Sequence, residues 1–109
     1  MVPGPGGFPT HGLHVVADER LLVPPFSLAV GQVRNMDLAD AEGRIVGDVA
    51  NVIADPAGRM VAVTVAMGSA LGIGAKEYVL PLGYVRHDGG RLMTILTAAQ
   101  IEKLPVLND

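Results

Sequence analysis

Apolar and polar residues alternate most regularly in the segment RMVAVTVAM, residues 59–67. This period of two predicts a β-strand with one buried face. The Val- and Ile-rich segment 44–55 predicts the strand before it, and Gly47 marks a bend or bulge in that strand. Two further strands are predicted at EYVLPL, residues 77–82, and at RLMTIL, residues 91–96.

Turns that contain glycine separate these strands. DAEG, residues 40–43, precedes the 44–55 strand, and DPAG, residues 55–58, follows it. Gly43 and Gly58 can adopt a positive φ without steric cost, so both segments predict tight turns between antiparallel strands. The sequence HDGG, residues 87–90, predicts a third turn before the last strand.

The end of the chain changes to a helical pattern. In TAAQ, Thr97 and Gln100 have the spacing of a capping box, in which each side chain accepts a hydrogen bond from the other residue's backbone amide. A short helix is therefore predicted from Ala98 to about Leu104, and Pro105 ends it.

The first 30 residues differ in composition from the rest of the chain. Five of the eight prolines lie within the first 25 residues, and proline removes ladder donors and breaks helices. Residues 1–12 are predicted to be a flexible tail, and the segments 13–16 and 20–23 to form a small hairpin that docks on the domain. The predicted organisation is a partly flexible Pro- and Gly-rich extension, residues 1–30, followed by one domain, residues 31–109.

The predicted elements, five or six short strands and one C-terminal helix, indicate an all-β fold. A chain of 109 residues has room for one core, because domains usually hold about 100 to 150 residues. A sheet that closes on itself protects most of its strand edges. We therefore expect a small antiparallel β-barrel.

Charge and composition narrow the classes of function. Eleven acidic residues against eight scattered basic ones give a net charge of −3, which disfavours nucleic-acid binding because phosphate contacts need clustered Lys and Arg. The chain has no cysteine, so thiol chemistry is excluded. It has no charge-free apolar stretch of about 20 residues, and its start lacks the pattern of a secretory signal. We expect a cytoplasmic protein without a transmembrane segment.

The segment GSALGIGAKEYVLP, residues 68–81, raises the question of a phosphate-binding loop. A Walker loop needs Gly-Lys followed by Ser or Thr, but here alanine precedes Lys76 and glutamate follows it. A dinucleotide-binding motif needs a third glycine three residues after Gly74 and then a helix, but that position is glutamate and a strand is predicted. Gly72 and Gly74 are therefore interpreted as structural turn residues. No catalytic, cofactor-binding or metal-binding residue is predicted, and no cofactor.

Three apolar residues in the same segment are unusual for a loop: Ala70, Leu71 and Ile73. Exposed apolar patches mark interfaces between proteins. A barrel of under about 80 residues is only marginally stable alone, because it buries a smaller fraction of its surface than a larger domain. We hypothesise that these three residues form the interface of a homo-oligomer.

The order of the motifs from Val33 to Asp109 resembles the PRC-barrel family. The matching segments are DAEGRIVGDV, DPAGRMVAVTVAMG, LGIGAKEYVLP and RLMTILTAAQIEKLP. This family is named for the cytoplasmic domain of the photosynthetic reaction-centre H subunit and includes ribosome-maturation barrel proteins, and the present chain is similar to its short stand-alone bacterial members. The resemblance implies a small β-barrel without known catalysis that serves as an assembly or docking module, and it does not fix the partner. With the apolar loop, we expect the chain to bind itself and an unidentified protein.

Two other classes of function stay open. One is an adaptor associated with the ribosome or with RNA processing, against which the acidic balance and the lack of a second, RNA-contacting domain argue. The other is a protein with a small-molecule site in the mouth of the barrel, which requires a pocket lined by convergent polar groups. Peripheral association with a membrane surface is compatible with the docking role.

Overall fold

The computed structural model describes residues 12–67 and 76–107. Within these two ranges the chain is mainly β, with two short helices. The strands are β1 His14–Val15, β2 Leu22–Val23, β3 Leu28–Ala29, β4 Asp37–Ala39, β5 Ile45–Ala54, β6 Met60–Met67, β7 Lys76–Pro81, β8 Val85–Asp88 and β9 Arg91–Thr94; the helices are α1 Val30–Val33 and α2 Ala98–Ile101, and a 3₁₀ helix covers Leu82–Tyr84.

The main sheet is curled into a half-barrel and has the strand order β7-β6-β5-β4-β9-β8, with β1 added beside β5. Antiparallel pairing joins β4 to β5 and β5 to β6, as the turn sequences DAEG and DPAG predict, and it also joins β6 to β7. The pairing of β4 with β9 is parallel, so the prediction of a wholly antiparallel sheet is wrong at this position. Closure of the sheet into a barrel stays a prediction.

The N-terminal region packs differently from the sequence-based prediction. The segments 13–16 and 20–23 do not form a hairpin with each other, because β1 pairs with the end of β5 and β2 pairs with β3. The chain then enters α1, a second helix that the sequence did not predict. Val23, Phe26 and Val30 are buried in the same core as the sheet. The domain boundary at residue 30 stays a prediction, but these three side chains stabilise the sheet from the N-terminal side of that boundary.

The turns before and after β5 have the same structure. Asp40 and Asp55 each accept, at Oδ1, hydrogen bonds from the backbone amides two and four residues later, at 2.9–3.0 Å. The fourth residue of each turn, Gly43 or Gly58, has a φ of 84° or 88°. Only glycine adopts this conformation without strain, which explains the repeated Asp-x-x-Gly pattern.

Gly47 is required by a close approach of two strands. A Cβ atom built on Gly47 would lie 2.4 Å from the carbonyl oxygen of Ala66 and 2.9 Å from Cγ of Met67. The register between β4 and β5 also shifts by one residue beside it, from Leu38 paired with Gly47 to Ala39 paired with Ile45. The predicted bulge at Gly47 is therefore present.

The C-terminal helix α2 begins with the capping box. Thr97 Oγ1 accepts a hydrogen bond from the Gln100 amide at 3.2 Å, and Gln100 Oε1 accepts one from the Thr97 amide at 2.9 Å. The helix ends at Ile101 rather than near Leu104, although the Leu104 amide still donates to the Ile101 carbonyl. Ile101 and Leu104 are both buried in the core, so the prediction is right about the inward face and too long by about one turn.

Candidate interaction surfaces at the two ends of the β6–β7 hairpin

The predicted interface belongs to the connection between β6 and β7. Met67, the last residue of β6, pairs with Lys76, the first residue of β7. The connection therefore consists of the eight residues 68–75. It contains the predicted interface residues Ala70, Leu71 and Ile73 and the predicted turn residues Gly72 and Gly74, all of which lie outside the described residues.

A cluster of polar side chains ties three strands together next to this connection. The hydroxyl of Thr64, which is fully buried, donates a hydrogen bond to Glu77 Oε1 at 2.9 Å. Asn51 Nδ2 donates to the same oxygen at 3.1 Å. These residues lie on β6, β7 and β5, so the cluster joins the hairpin to its neighbour by side chains as well as by backbone pairing. Hydrogen bonds to a charged acceptor are stronger than neutral ones.

The outer edge of β7 is covered by the C-terminal segment. The Val79 amide donates to the Pro105 carbonyl and the Leu107 amide donates to the Glu77 carbonyl, both at 2.8 Å. Between them, Tyr78 pairs with Val106. Pairing of this kind blocks uncontrolled strand addition at a sheet edge. The hairpin is therefore held on both sides, by β5 and by the C-terminal segment.

An apolar surface lies at the end of the hairpin opposite to the connection between β6 and β7. We call it the proline groove, and it is lined by Leu22, Pro24, Pro25, Met60, Pro81 and Tyr84. It has two adjoining compartments of ≈ 400 and ≈ 530 Å³, and both are bounded by Pro24 and Met60. Leu22 is 62% exposed. Apolar surface that is concave and exposed in this way is typical of a docking site.

Sequence analysis did not predict the proline groove or the polar cluster. The groove combines residues from the N-terminal region with the ends of β6 and β7, so it exists only in the folded chain. The local sequence feature that belongs to the groove is LLVPP, residues 21–25. Its two prolines cannot extend a sheet, although the residues before them are apolar. The sequence feature that belongs to the polar cluster is the presence of two polar residues, Asn51 and Thr64, within Val-rich strands.

A third cavity of ≈ 440 Å³ adjoins the groove at Tyr84 and extends toward Arg86 and Thr94. The Thr94 hydroxyl in its wall accepts a hydrogen bond from the Leu96 amide at 3.3 Å. The guanidinium of Arg86 approaches the sulfur of Met93 at 3.9 Å. Its wall combines the hydroxyl of Thr94, the guanidinium of Arg86 and apolar side chains, which are the kinds of group that a small-molecule site needs.

Titratable groups give little sign of chemistry in the part of the chain that the structure describes. There, no group of three or more His, Asp or Glu side chains is placed to hold a metal ion. The backbone amide of Arg44 lowers the pKa of Asp40, helped by the Glu42 amide and the Arg44 guanidinium and opposed by burial. Since Asp40 forms a turn, this shift has a structural explanation. Within residues 12–67 and 76–107, no helix is long and apolar enough to cross a membrane.

The curled sheet and its repeated Asp-x-x-Gly turns define a small, mainly β domain of the half-barrel type. The chain belongs to the PRC-barrel domain family, whose family model matches residues 27–101. The resemblance stated from the sequence is thus confirmed, and the match begins before Val33, within the turn that leads into β3. No curated protein matches the chain.

Proposed function

We propose that this PRC-barrel chain is a protein-interaction and assembly module without catalysis of its own, and that it self-associates through the connection between β6 and β7. The observation that carries the proposal is the length and composition of that connection. It has eight residues between a closing pair, whereas hairpin loops commonly have two to five. Binding residues lie disproportionately often on loops that a rigid scaffold positions.

The hairpin below the connection is suited to hold an interface in place. The polar cluster of Asn51, Thr64 and Glu77 joins it to β5, and the C-terminal segment pairs with its outer edge. A binding loop on a rigid support loses less conformational entropy when it binds. The support therefore favours association through this end of the sheet.

Burial of Leu71 and Ile73 between two copies would supply the energy of association. A fully buried Leu or Ile side chain contributes roughly 1.5–3 kcal/mol relative to an exposed one. Two copies bury four such side chains, which offsets a substantial part of the entropic cost of association, on the order of 4–15 kcal/mol. We further propose that the dimer works in the cytoplasm and presents a surface to another protein.

The test is light scattering on the size-separated full chain over a tenfold range of concentration. We expect a dimer for the wild type and a monomer for the double variant Leu71→Asp, Ile73→Asp. Ile45→Asp is the matched control, because it places a charge on an isoleucine that is already 50% exposed on β5. It should leave the mass unchanged.

Two results would overturn the proposal. A wild-type chain that is monomeric at every concentration excludes self-association. A dimer whose mass is unchanged in the double variant shows that the connection is not the interface. The control variant separates a specific loss of contact from a general effect of added negative charge.

A further inference from the structure

Residues 1–11 of the predicted tail, which we call the tail from here on, continue into Gly12, and Gly12 lies beside the proline groove. Gly12, the first described residue, has a φ of 77°, and a Cβ atom built on it would lie 2.8 Å from Cγ of Pro56. Leu13 packs on the outer face of the sheet in the same cluster as Val61. Val61 also lines the groove. The tail therefore leaves the fold at a position next to one wall of the groove.

The reach of the tail is sufficient for it to enter the groove. Pro56, which touches Gly12, is two residues before Gly58, and Gly58 lines the near compartment. Two residues span at most about 7 Å. Phe8 is four residues before Gly12 and can extend about 13 Å from it. Its side chain can thus pass the near wall at Gly58.

The chemistry of the tail fits the groove. The first ten residues, MVPGPGGFPT, carry no charged side chain, and Phe8 is their one aromatic residue. The groove presents prolines, Met60 and Tyr84. Its rim residue Arg59 already faces Asp55, with Nε 3.6 Å from Oδ2. Because residues 1–10 carry no charged side chain, their binding leaves the ion pair of Arg59 with Asp55 at the rim intact.

We propose that residues 1–11 bind along the proline groove of their own chain, with Phe8 as the anchoring side chain, and so cover this surface from other proteins. This inference goes beyond the proposed self-association, which uses the other end of the hairpin. The tail acts as a built-in competitor, because a partner that binds the groove must first displace it. Burial of one Phe side chain changes such an equilibrium by a factor of roughly 10 to 100.

The methyl group of Met60 allows a direct test in the full chain. Methionine methyl groups are labelled with carbon-13, and the NMR signal of Met60 is compared between the wild type and Phe8→Ser. We expect the Met60 signal to move when the ring is lost, while the signal of Met36, which packs against the core and does not line the groove, stays in place. Thr10→Ala is the matched control in the tail and should leave both signals unchanged.

A second experiment restores the missing segment. A synthetic peptide of residues 1–11 is titrated into the Phe8→Ser variant, and the Met60 signal should return toward its wild-type position. A covalently attached segment has an effective concentration on the order of mM, so the free peptide should be needed at comparable concentrations. The same peptide carrying Phe8→Ser should have no effect.

Three results would overturn the proposal. If Phe8→Ser leaves the Met60 signal in place, Phe8 does not anchor the tail in the groove. If the wild-type Met60 signal changes with protein concentration, a second copy occupies the groove instead. If the peptide shifts Met36 and Met60 equally, its binding is unspecific. The Met60 signal is also recorded for the Leu71→Asp, Ile73→Asp variant. If this variant is monomeric and its Met60 signal is unchanged, the tail binds the groove independently of the proposed dimer.

Discussion

Replacement of Gly47 by alanine is predicted to destabilise the fold, because the new methyl group has no space between β5 and β6. It would lie 2.4 Å from the Ala66 carbonyl oxygen, 2.9 Å from Met67 Cγ and 3.1 Å from Val65 Cγ1. Carbon and oxygen atoms need at least about 3.3 Å, so the two strands must separate locally by roughly 1 Å.

The expected cost follows from two opposing effects. Overpacking of this kind costs typically 1–3 kcal/mol. The lower backbone entropy of an unfolded chain with alanine returns about 0.4–1 kcal/mol. At the middle of these ranges the net loss is about 1.3 kcal/mol, which corresponds to a fall in Tm of roughly 5–10 °C for a domain of this size.

The assay is urea unfolding followed by far-UV circular dichroism, with Gly83→Ala as the matched control. A Cβ atom on Gly83 meets nothing within 4 Å, and Gly83 is not among the glycines with positive φ. Gly83→Ala should change the free energy of unfolding by less than about 1 kcal/mol in either direction. The reasoning is refuted if Gly47→Ala is as stable as Gly83→Ala, since both substitutions have the same effect on the unfolded chain.

Two further substitutions test the turns and the cap. Since the folded chain lowers the pKa of Asp40, the ionised carboxylate stabilises the fold at pH values above the unfolded pKa, and this contribution is lost as the pH falls through the folded pKa. Asp40→Asn should therefore lower the urea midpoint at neutral pH more than Asp55→Asn, because the Asp55 side chain is 21% exposed. The difference between Asp40→Asn and wild type should shrink toward acid pH. Parallel pH profiles for these two proteins would contradict this reasoning. Thr97→Ala removes the hydroxyl that accepts a hydrogen bond from the Gln100 amide and should lower the free energy of unfolding by about 1 kcal/mol. Thr97→Ser keeps the hydroxyl and should retain most of this stability. Equal urea midpoints for the two variants would show that the cap does not stabilise the fold.

Local sequence patterns predict the central hairpins closely. The strands expected at residues 44–55 and 59–67 are observed at Ile45–Ala54 and Met60–Met67. The second strand has an apolar period of two, and the first lies between two Asp-x-x-Gly turns whose hydrogen bonds lie within five residues. Information of this kind is contained in a short window of sequence.

Elements defined by distant partners were not predicted. The strand β4 has three residues and is held by a parallel pairing with β9, more than 50 residues later. The helix α1 has four residues, too few for a helical period to be recognised. The partners of β1 and β2 could not be derived either, because apolar alternation does not specify which strand lies alongside. The prediction that β6 has one buried face is also wrong, since Ala62 and Thr64 are as buried as Val63 and Val65.

The candidate surfaces differ in the same way: one lies within a single sequence window, and the other is formed by distant segments. Ala70, Leu71 and Ile73 are recognisable because three apolar residues lie within four positions of a single predicted loop. The proline groove is formed by three chain segments that meet at Met60 and Tyr84, and no single window contains it.

The packing of the N-terminal region connects the groove to the stability of the whole domain. Val23 and Phe26 are buried in the core, while their neighbours Leu22 and Pro24 line the groove. One short segment therefore contributes Val23 and Phe26 to the core, and Leu22, Pro24 and Pro25 to the groove. Because the core fixes the backbone of this segment, the groove keeps its shape without an occupant, and a ligand that binds there does not have to order it. An occupant of the groove is thus selected by its fit to a preformed surface, which favours a short apolar segment over a large partner that must reshape the surface.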